Sequence, residues 1–249
     1  MNKIDKRKNY YLVLDVETAN TLEQPLCYDV GFAICDKSGK IYTQRSYIVP
    51  EIFFDEKEVF GNGEMMNTAY YAEKLPQYYK GIRTGTWKIK PLYGIRSEIL
   101  SLMKEYNVKA VAAYNASFDV NALNQTIRYV SKSKNRWFFP YGTEVICIWH
   151  MACQTIFLQK QFDKIAVANQ WESEKGNVHT NAEIAWRYIK NAFDFEEAHT
   201  GLEDVKIECQ IMAKCFAQHQ KMVKTPNRLC WRIPQKQYKN FKKEISKTA

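Results

Sequence analysis

Three β-rich runs crowd the first fifty residues, and they limit the possible folds more than anything later in the chain. Tyr10-Tyr-Leu-Val-Leu-Asp15 reads as a buried strand that ends at an acid. Residues 30–36 and 40–49 are two more strand-like runs, joined by Lys37-Ser-Gly-Lys40, a hairpin signal. Three antiparallel strands are therefore expected to open the fold. The pattern then changes to alternation. Residues 91–106 predict a helix with Leu92, Ile95, Ile99, Leu102 and Met103 on one stripe, and residues 108–114 a strand. Residues 118–130 predict a helix capped by Ser117. A short strand over 145–149 runs into a helix through Leu158, and helices are expected at 181–189 and from Gly201 to about Gln218. Residues 160–178 have weak periodicity and are expected to be loop-rich. Strands first, then alternating helix and strand, predict an α/β fold with a mixed five-stranded sheet flanked by helices.

Residues 50–90 break this pattern. They hold Gly61, Gly63, Gly81 and Gly85 among Phe53, Phe54, Phe60, Tyr70, Tyr71, Tyr78, Tyr79 and Trp87. They read as an insertion, partly helical near 67–79, whose aromatics either stack on unpaired bases or form a small satellite core. Charge is concentrated at the ends. Of the net +9, residues 224–249 supply +7 from eight Lys or Arg against Glu244, and the first ten supply +3. Subtraction leaves about −1 for the rest. The expected organisation is one domain over residues 1–223 and a basic C-terminal extension over 224–249. Basic ends beside an acidic pocket suit a polyanion, although solubility alone also accounts for a basic tail. Tyr238, Phe241 and Ile245 share helical spacing between lysines, fitting either a helix on nucleic acid or one docked to the domain. No run of eighteen apolar residues occurs, so no membrane span is predicted. The seven cysteines include no Cys-x-x-Cys pair, which fits buried, reduced thiols in a cytoplasmic protein.

Candidate chemistry lies in four acids and one histidine. Residues two apart in a strand face the same way, so Asp15 and Glu17 can enter one cleft while Val16 enters the core. In Asn115-Ala-Ser-Phe-Asp119 the acid falls in the first turn of a helix, where the helix dipole favours it. Thr200-Gly-Leu-Glu203 matches a capping box, which sets His199 just before a helix and Asp204 one turn inside it. From there His199 can fold back over the same cleft, as a base suited to neutral pH. Each fragment alone has an ordinary explanation: a charged strand end, a first-turn acid, a loop histidine. Together they form a carboxylate cluster with little compensating charge, which invites hard divalent cations and points to two-metal cleavage of a phosphodiester.

In Asp15-Val-Glu17-Thr18, Asn115-Ala-Ser-Phe-Asp119 with Leu123 behind it, and His199-Thr-Gly-Leu-Glu-Asp204, the chain resembles the DEDDh branch of the 3′→5′ exonucleases. That superfamily includes proofreading exonuclease subunits, ribonuclease T and oligoribonuclease. The resemblance covers residues 10–217 in motif order and implies a ribonuclease-H-like fold with two Mg²⁺ or Mn²⁺ ions. It implies that Asp15 bridges both ions, that Glu17 and Asp204 hold the ion that activates water, and that Asp119 positions the second. His199 would take the water's proton, and Thr18, Asn115 and Phe118 would bind substrate. The implied substrate is DNA or RNA with a free 3′ end, single-stranded, yielding nucleoside 5′-monophosphates; a polymerase or other protein partner stays open. Three positions depart from the pattern. Thr18-Ala-Asn20-Thr-Leu22 replaces the frequent Thr-Gly and wedge Leu, which puts terminal-base stacking in question. Tyr114 stands where histidine is common. Gly201 replaces a frequent alanine and is expected to loosen the capped turn. No metal ligand is lost, which weighs against the alternative of a non-catalytic nucleic-acid-binding relative. An endonuclease with the same metal chemistry is a third reading.

Overall fold

A computed structural model describes residues 4–56 and 64–248 of the chain. Its sheet has five strands, β1 (Tyr10–Asn20), β2 (Pro25–Asp36), β3 (Ile41–Ile48), β4 (Ala110–Ala113) and β5 (Val145–Cys147), in the order β3-β2-β1-β4-β5. The first three pair antiparallel, and β4 and β5 add on in parallel. This is the mixed α/β sheet that the run of strands and then alternation predicts.

Both faces of the sheet are covered, which explains why its central strands read as nearly continuous apolar runs. Leu12, Leu14 and Val16 point to one core, beneath α1 (Pro50–Phe53), α3 (Leu92–Glu105) and α4 (Ala116–Ser131). Tyr11 and Val13 point to the other, beneath α5 (Ile148–Gln154), α6 (Lys160–Ala168), α7 (Ala182–Lys190) and α8 (Gly201–Phe216). By this period-two alternation Asp15 and Glu17 share the α8 side with Val13.

Several expectations need correction. β1 does not end at Asp15; its ladder with β2 continues to Asn20 opposite Pro25, so both acids sit inside a strand. α4 begins two residues earlier than expected, with Asn115 in the N-cap position and Ser117 within the first turn. Residues 160–168 are helical rather than loop, because Phe162 and Ala166, four apart, reach the core from a short amphipathic turn.

The insertion is built of α1, 3₁₀ turns at Met65–Thr68 and Ala72–Lys74, and α2 (Leu75–Arg83). Phe60, Gly61 and Gly63 lie outside the described residues. Tyr78 is fully buried against Trp87 and Phe53, and the three join the main core on that face of the sheet rather than forming a separate satellite core. Phe54, Tyr70 and Tyr79 remain exposed. In the tail, α9 (Arg232–Thr248) is docked on the domain. Tyr238 is fully buried, and the Gln235 amide bonds both the N–H and the carbonyl of Val178 at 2.9 and 3.0 Å. All seven cysteines are free and buried. Among the described residues no helix is long and apolar enough to cross a membrane.

One contact positions α8. A Cβ placed on Gly31 of β2 would lie 2.1 Å from the Gly201 carbonyl, and one on Gly201 would lie 2.7 Å from the Gly31 nitrogen. The helix start and the sheet therefore meet backbone to backbone, and only glycine at both positions allows it. Gly201 does not loosen the turn; it permits this close approach. Gly31→Ala is expected to destabilise the fold by about 1–3 kcal/mol or more through overpacking. Gly94→Ala, inside α3 with only the flexible Lys90 side chain nearby, is expected to be neutral or to stabilise by up to about 1 kcal/mol. Denaturant unfolding of the two variants checks the contrast.

Candidate active site

Three segments deliver the site. The middle of β1 carries Asp15 and Glu17 on the face that α8 covers. The first turn of α4 carries Asp119, which is buried, with its own backbone N–H and that of Val16 near enough to favour the charged form. The start of α8 carries Asp204, and the residues just before it carry His199.

The α8 start is capped differently from the expected capping box. Thr200 occupies the N-cap position with an extended backbone, but its side chain makes no capping bond. Asp204 Oδ2, not Glu203, accepts the Thr200 N–H at 3.1 Å. Glu203 faces solvent and pairs with Lys206 at 2.6 Å. The Gly201 N–H donates to the buried Asp29 at 3.2 Å, and Asp29 also accepts from the Tyr78 and Ser46 hydroxyls at 2.8 and 2.7 Å. A carboxylate at a helix N-terminus is favoured by the dipole, so Asp29 anchors α8 from beneath. His199 has a left-handed φ of 53°. That conformation costs a non-glycine residue about 1–3 kcal/mol and here turns the chain sharply at the site. Its ring stacks on Tyr71 of the insertion, with centroids 3.9 Å apart and planes 14° from parallel.

The five predicted residues line one cavity of about 480 Å³. Thr18, Asn115 and Phe118 line it too, so all eight residues singled out from the sequence are gathered there. Carboxylate oxygens of Asp15, Glu17 and Asp204 come within 4.8 Å of one another. Asp119 and His199 belong to the same cavity but not to that tightest group.

Sequence reasoning missed four contributors. Glu208 lies one turn beyond Asp204 on α8, and its spacing from Asp204 was the available signal. Glu197 lines the cavity two residues before His199, hidden in the acid-rich run Phe193-Asp-Phe-Glu-Glu197. Asp29 interrupts an otherwise apolar strand, which marks a buried charge needing partners. Tyr71 was among the insertion aromatics, but nothing local linked it to His199.

Burial dominates the electrostatics. It raises Glu17 to about 9, with Asp204 and then Asp29 as like-charge neighbours. Asp204 is raised to about 8, by burial and then Glu197. Asp119 is raised to about 7 by burial, against the pull of its two backbone N–H donors. Burial, then Glu183, raises Glu197 to about 7. Asp15 is pushed well above the usual carboxylate range by burial and then Glu208. Burial and then Lys74 hold His199 below its ordinary value, which favours the neutral ring. Among the described residues, no lysine or arginine lines the cavity. Such a set can stay ionised only if external positive charge enters. The donors are all hard oxygens, three converge, and Asp204 Oδ1 is buried with no hydrogen-bond partner. The residues fit a divalent cation.

Comparison with known proteins gives the class of fold. No protein-family model matches the sequence, and no curated protein matches it in sequence. The sheet and its flanking helices form the ribonuclease-H-like exonuclease fold. E. coli exonuclease I in complex with a 5cy-dT13 oligonucleotide superposes with a TM-score of 0.54 at 14% identity, over 86% of this chain and 41% of that one. The dA16 complex of E. coli exonuclease I gives 0.54 at 15% identity, over 85% and 41%. The zinc-ion-bound E. coli exonuclease I–ssDNA complex gives 0.54 at 14%, over 86% and 41%. The chain therefore spans about two fifths of the length of these exonuclease I chains, and at such identity the likeness is one of fold.

The raised carboxyl groups give metal-free protein a defined pH response. Each has a folded pKa above its unfolded value near 4, so between the two the folded state holds more protons. Their contribution to stability is present below about pH 4 and is lost as pH rises through about 7 to 9. In chelator, the melting temperature is expected to be higher at about pH 5.5 than at about pH 8.5, and saturating Mn²⁺ is expected to narrow the gap. Thermal scans at the two pH values, with and without the ion, measure it.

Proposed function

We propose that this chain is a metal-dependent 3′→5′ exonuclease acting on single-stranded nucleic acid and releasing nucleoside 5′-monophosphates. The single observation that carries the reading is the convergence of Asp15, Glu17, Asp119, Asp204 and His199, from three separate segments, on one acidic cavity. The shared fold supports it, as do the oligonucleotide complexes of exonuclease I with that fold. In this reading residues 1–223 carry the chemistry and 224–249 extend them. Buried free thiols support a reducing, cytoplasmic setting.

Asp15, Glu17, Asp119 and Asp204 would hold two divalent cations, Mg²⁺ or Mn²⁺, which supply charge neutralisation at the phosphate and an acidified water. His199 accepts the proton of the attacking water on a ring nitrogen, and its environment keeps the ring neutral and ready to do so. Tyr71 fixes the imidazole by lying flat against it. Phe118 offers its ring to the terminal base, Asn115 an amide, and Thr18 a hydroxyl at the inner wall. Leu22 and Tyr70, both about three-fifths exposed at the mouth, give apolar surface for the next base. Leu22 thus offers, from a different local sequence, the apolar edge that the departures after Thr18 put in question.

On matched 3′-labelled and 5′-labelled DNA and RNA oligomers with Mg²⁺, mononucleotide release from the 3′ end is expected. Chelator is expected to abolish it, and Asp15→Asn to lower the rate by about a thousandfold or more, ~4 kcal/mol in the barrier. Single-stranded circles are expected to remain intact. Undiminished release in chelator or by Asp15→Asn would refute the reading, and cut circles would make the protein an endonuclease.

A further inference from the structure

Beyond the four acids of the resemblance, Glu197 and Glu208 also line the cavity, and of the two Glu208 is the fully buried one. Glu208 follows Asp204 by four residues on α8, so both side chains leave the same helix face toward the sheet. Only 2% of Glu208 is exposed, and it lines the cavity with Asp15 and Asp119. The Tyr114 backbone N–H supports its carboxylate, while Oε2 is buried with no hydrogen-bond partner. Among the described residues, no lysine or arginine lines the cavity to compensate it. A glutamate on a helix face otherwise given to Val205, Cys209 and Met212 is costly unless positive charge arrives from outside.

Asp15 is the shared neighbour, with Glu208, Glu17, Asp119 and Asp204 all acting on it as like charges. Glu17 has Asp204 as its strongest acidic neighbour. Asp15 has Glu208, and Glu208 in turn has Asp119. The Asp15, Glu17 and Asp204 oxygens are already gathered, whereas Asp119 and Glu208 line the same cavity outside that tightest group.

We propose that Glu208 is a fifth cation-binding carboxylate, acting through Oε2 on the Asp15–Asp119 side of the cavity. The proposal rests on the metal-dependent reading above. It makes α8 a two-ligand helix, with Asp204 and Glu208 each serving one side of Asp15.

Calorimetric titration of the full chain with Mn²⁺ tests it, using wild type, Glu208→Gln, Glu208→Asp and Asp15→Asn. Glu208→Gln is expected to remove one ion from the stoichiometry or to weaken one binding step by about tenfold or more. Glu208→Asp keeps the charge but withdraws the oxygen by one methylene, and is expected to weaken the same step. Asp15→Asn is expected to weaken both steps. Thermal melts in chelator establish that the variants fold, and Glu208→Gln is expected to melt at or above wild type because a partnerless charge is gone. Wild-type stoichiometry and affinity in Glu208→Gln, with loss in Asp15→Asn, would overturn the role of Glu208 and leave the rest of the site standing. Absence of Mn²⁺ binding by wild type would overturn both.

Discussion

The site depends on the seat of α8 on the sheet. Gly31 lies opposite Asp15 in the β1–β2 ladder, and its missing side chain is what lets Gly201 touch the strand beside that acid. Asp29, two residues earlier, receives the Gly201 N–H and holds the helix dipole from below. Once that first turn is seated, Asp204 and Glu208 follow from helical periodicity and His199 from the reversal before it. The pair of glycines and the buried aspartate are thus as necessary to the acidic cavity as the acids themselves.

That seat brings together groups that repel one another. Burial raises each cavity carboxyl, and among the described residues no lysine or arginine lines the cavity to offset them. Folding energy from the two cores on either side of the sheet must offset this repulsion, a common arrangement where a site has to attract charge from solution. The basic residues stay outside. Many are on α9, which is fixed to the domain by Tyr238 and Gln235 rather than free in solution. On the proposed function, those charges would draw a polyanion to the outside and leave its hydrolysis to an interior that only cations can make hospitable.

Much of this was legible in the sequence because it rests on local periodicity. The strands of the sheet, the helices at 91–106, 181–189 and 201–218, and the three acidic motifs all announce themselves within short windows. What escaped was tertiary. Asp15 and Glu17 looked like a strand end, because charge inside a strand becomes credible only when a ligand-binding cavity faces it. α6 was missed because two buried residues over nine positions leave a faint apolar stripe. Ser117 seemed the natural cap of α4, but the strand before it ends early enough for Asn115 to take that position. Glu203 fitted a capping box, but Asp204 accepts the Thr200 N–H and no box forms. Glu208 could be noticed only once Asp204 was known to face the sheet. The contact of Tyr71 with His199 joins segments more than a hundred residues apart and leaves no local trace.

The most direct test of the account is diffraction from crystals grown with Mn²⁺, with data collected at the manganese absorption edge. Anomalous peaks beside Asp15, ringed by Glu17 and Asp204 on one side and by Asp119 and Glu208 on the other, are the predicted result. A cavity without such density, its carboxyl groups instead paired with one another through shared protons at neutral pH, would contradict it.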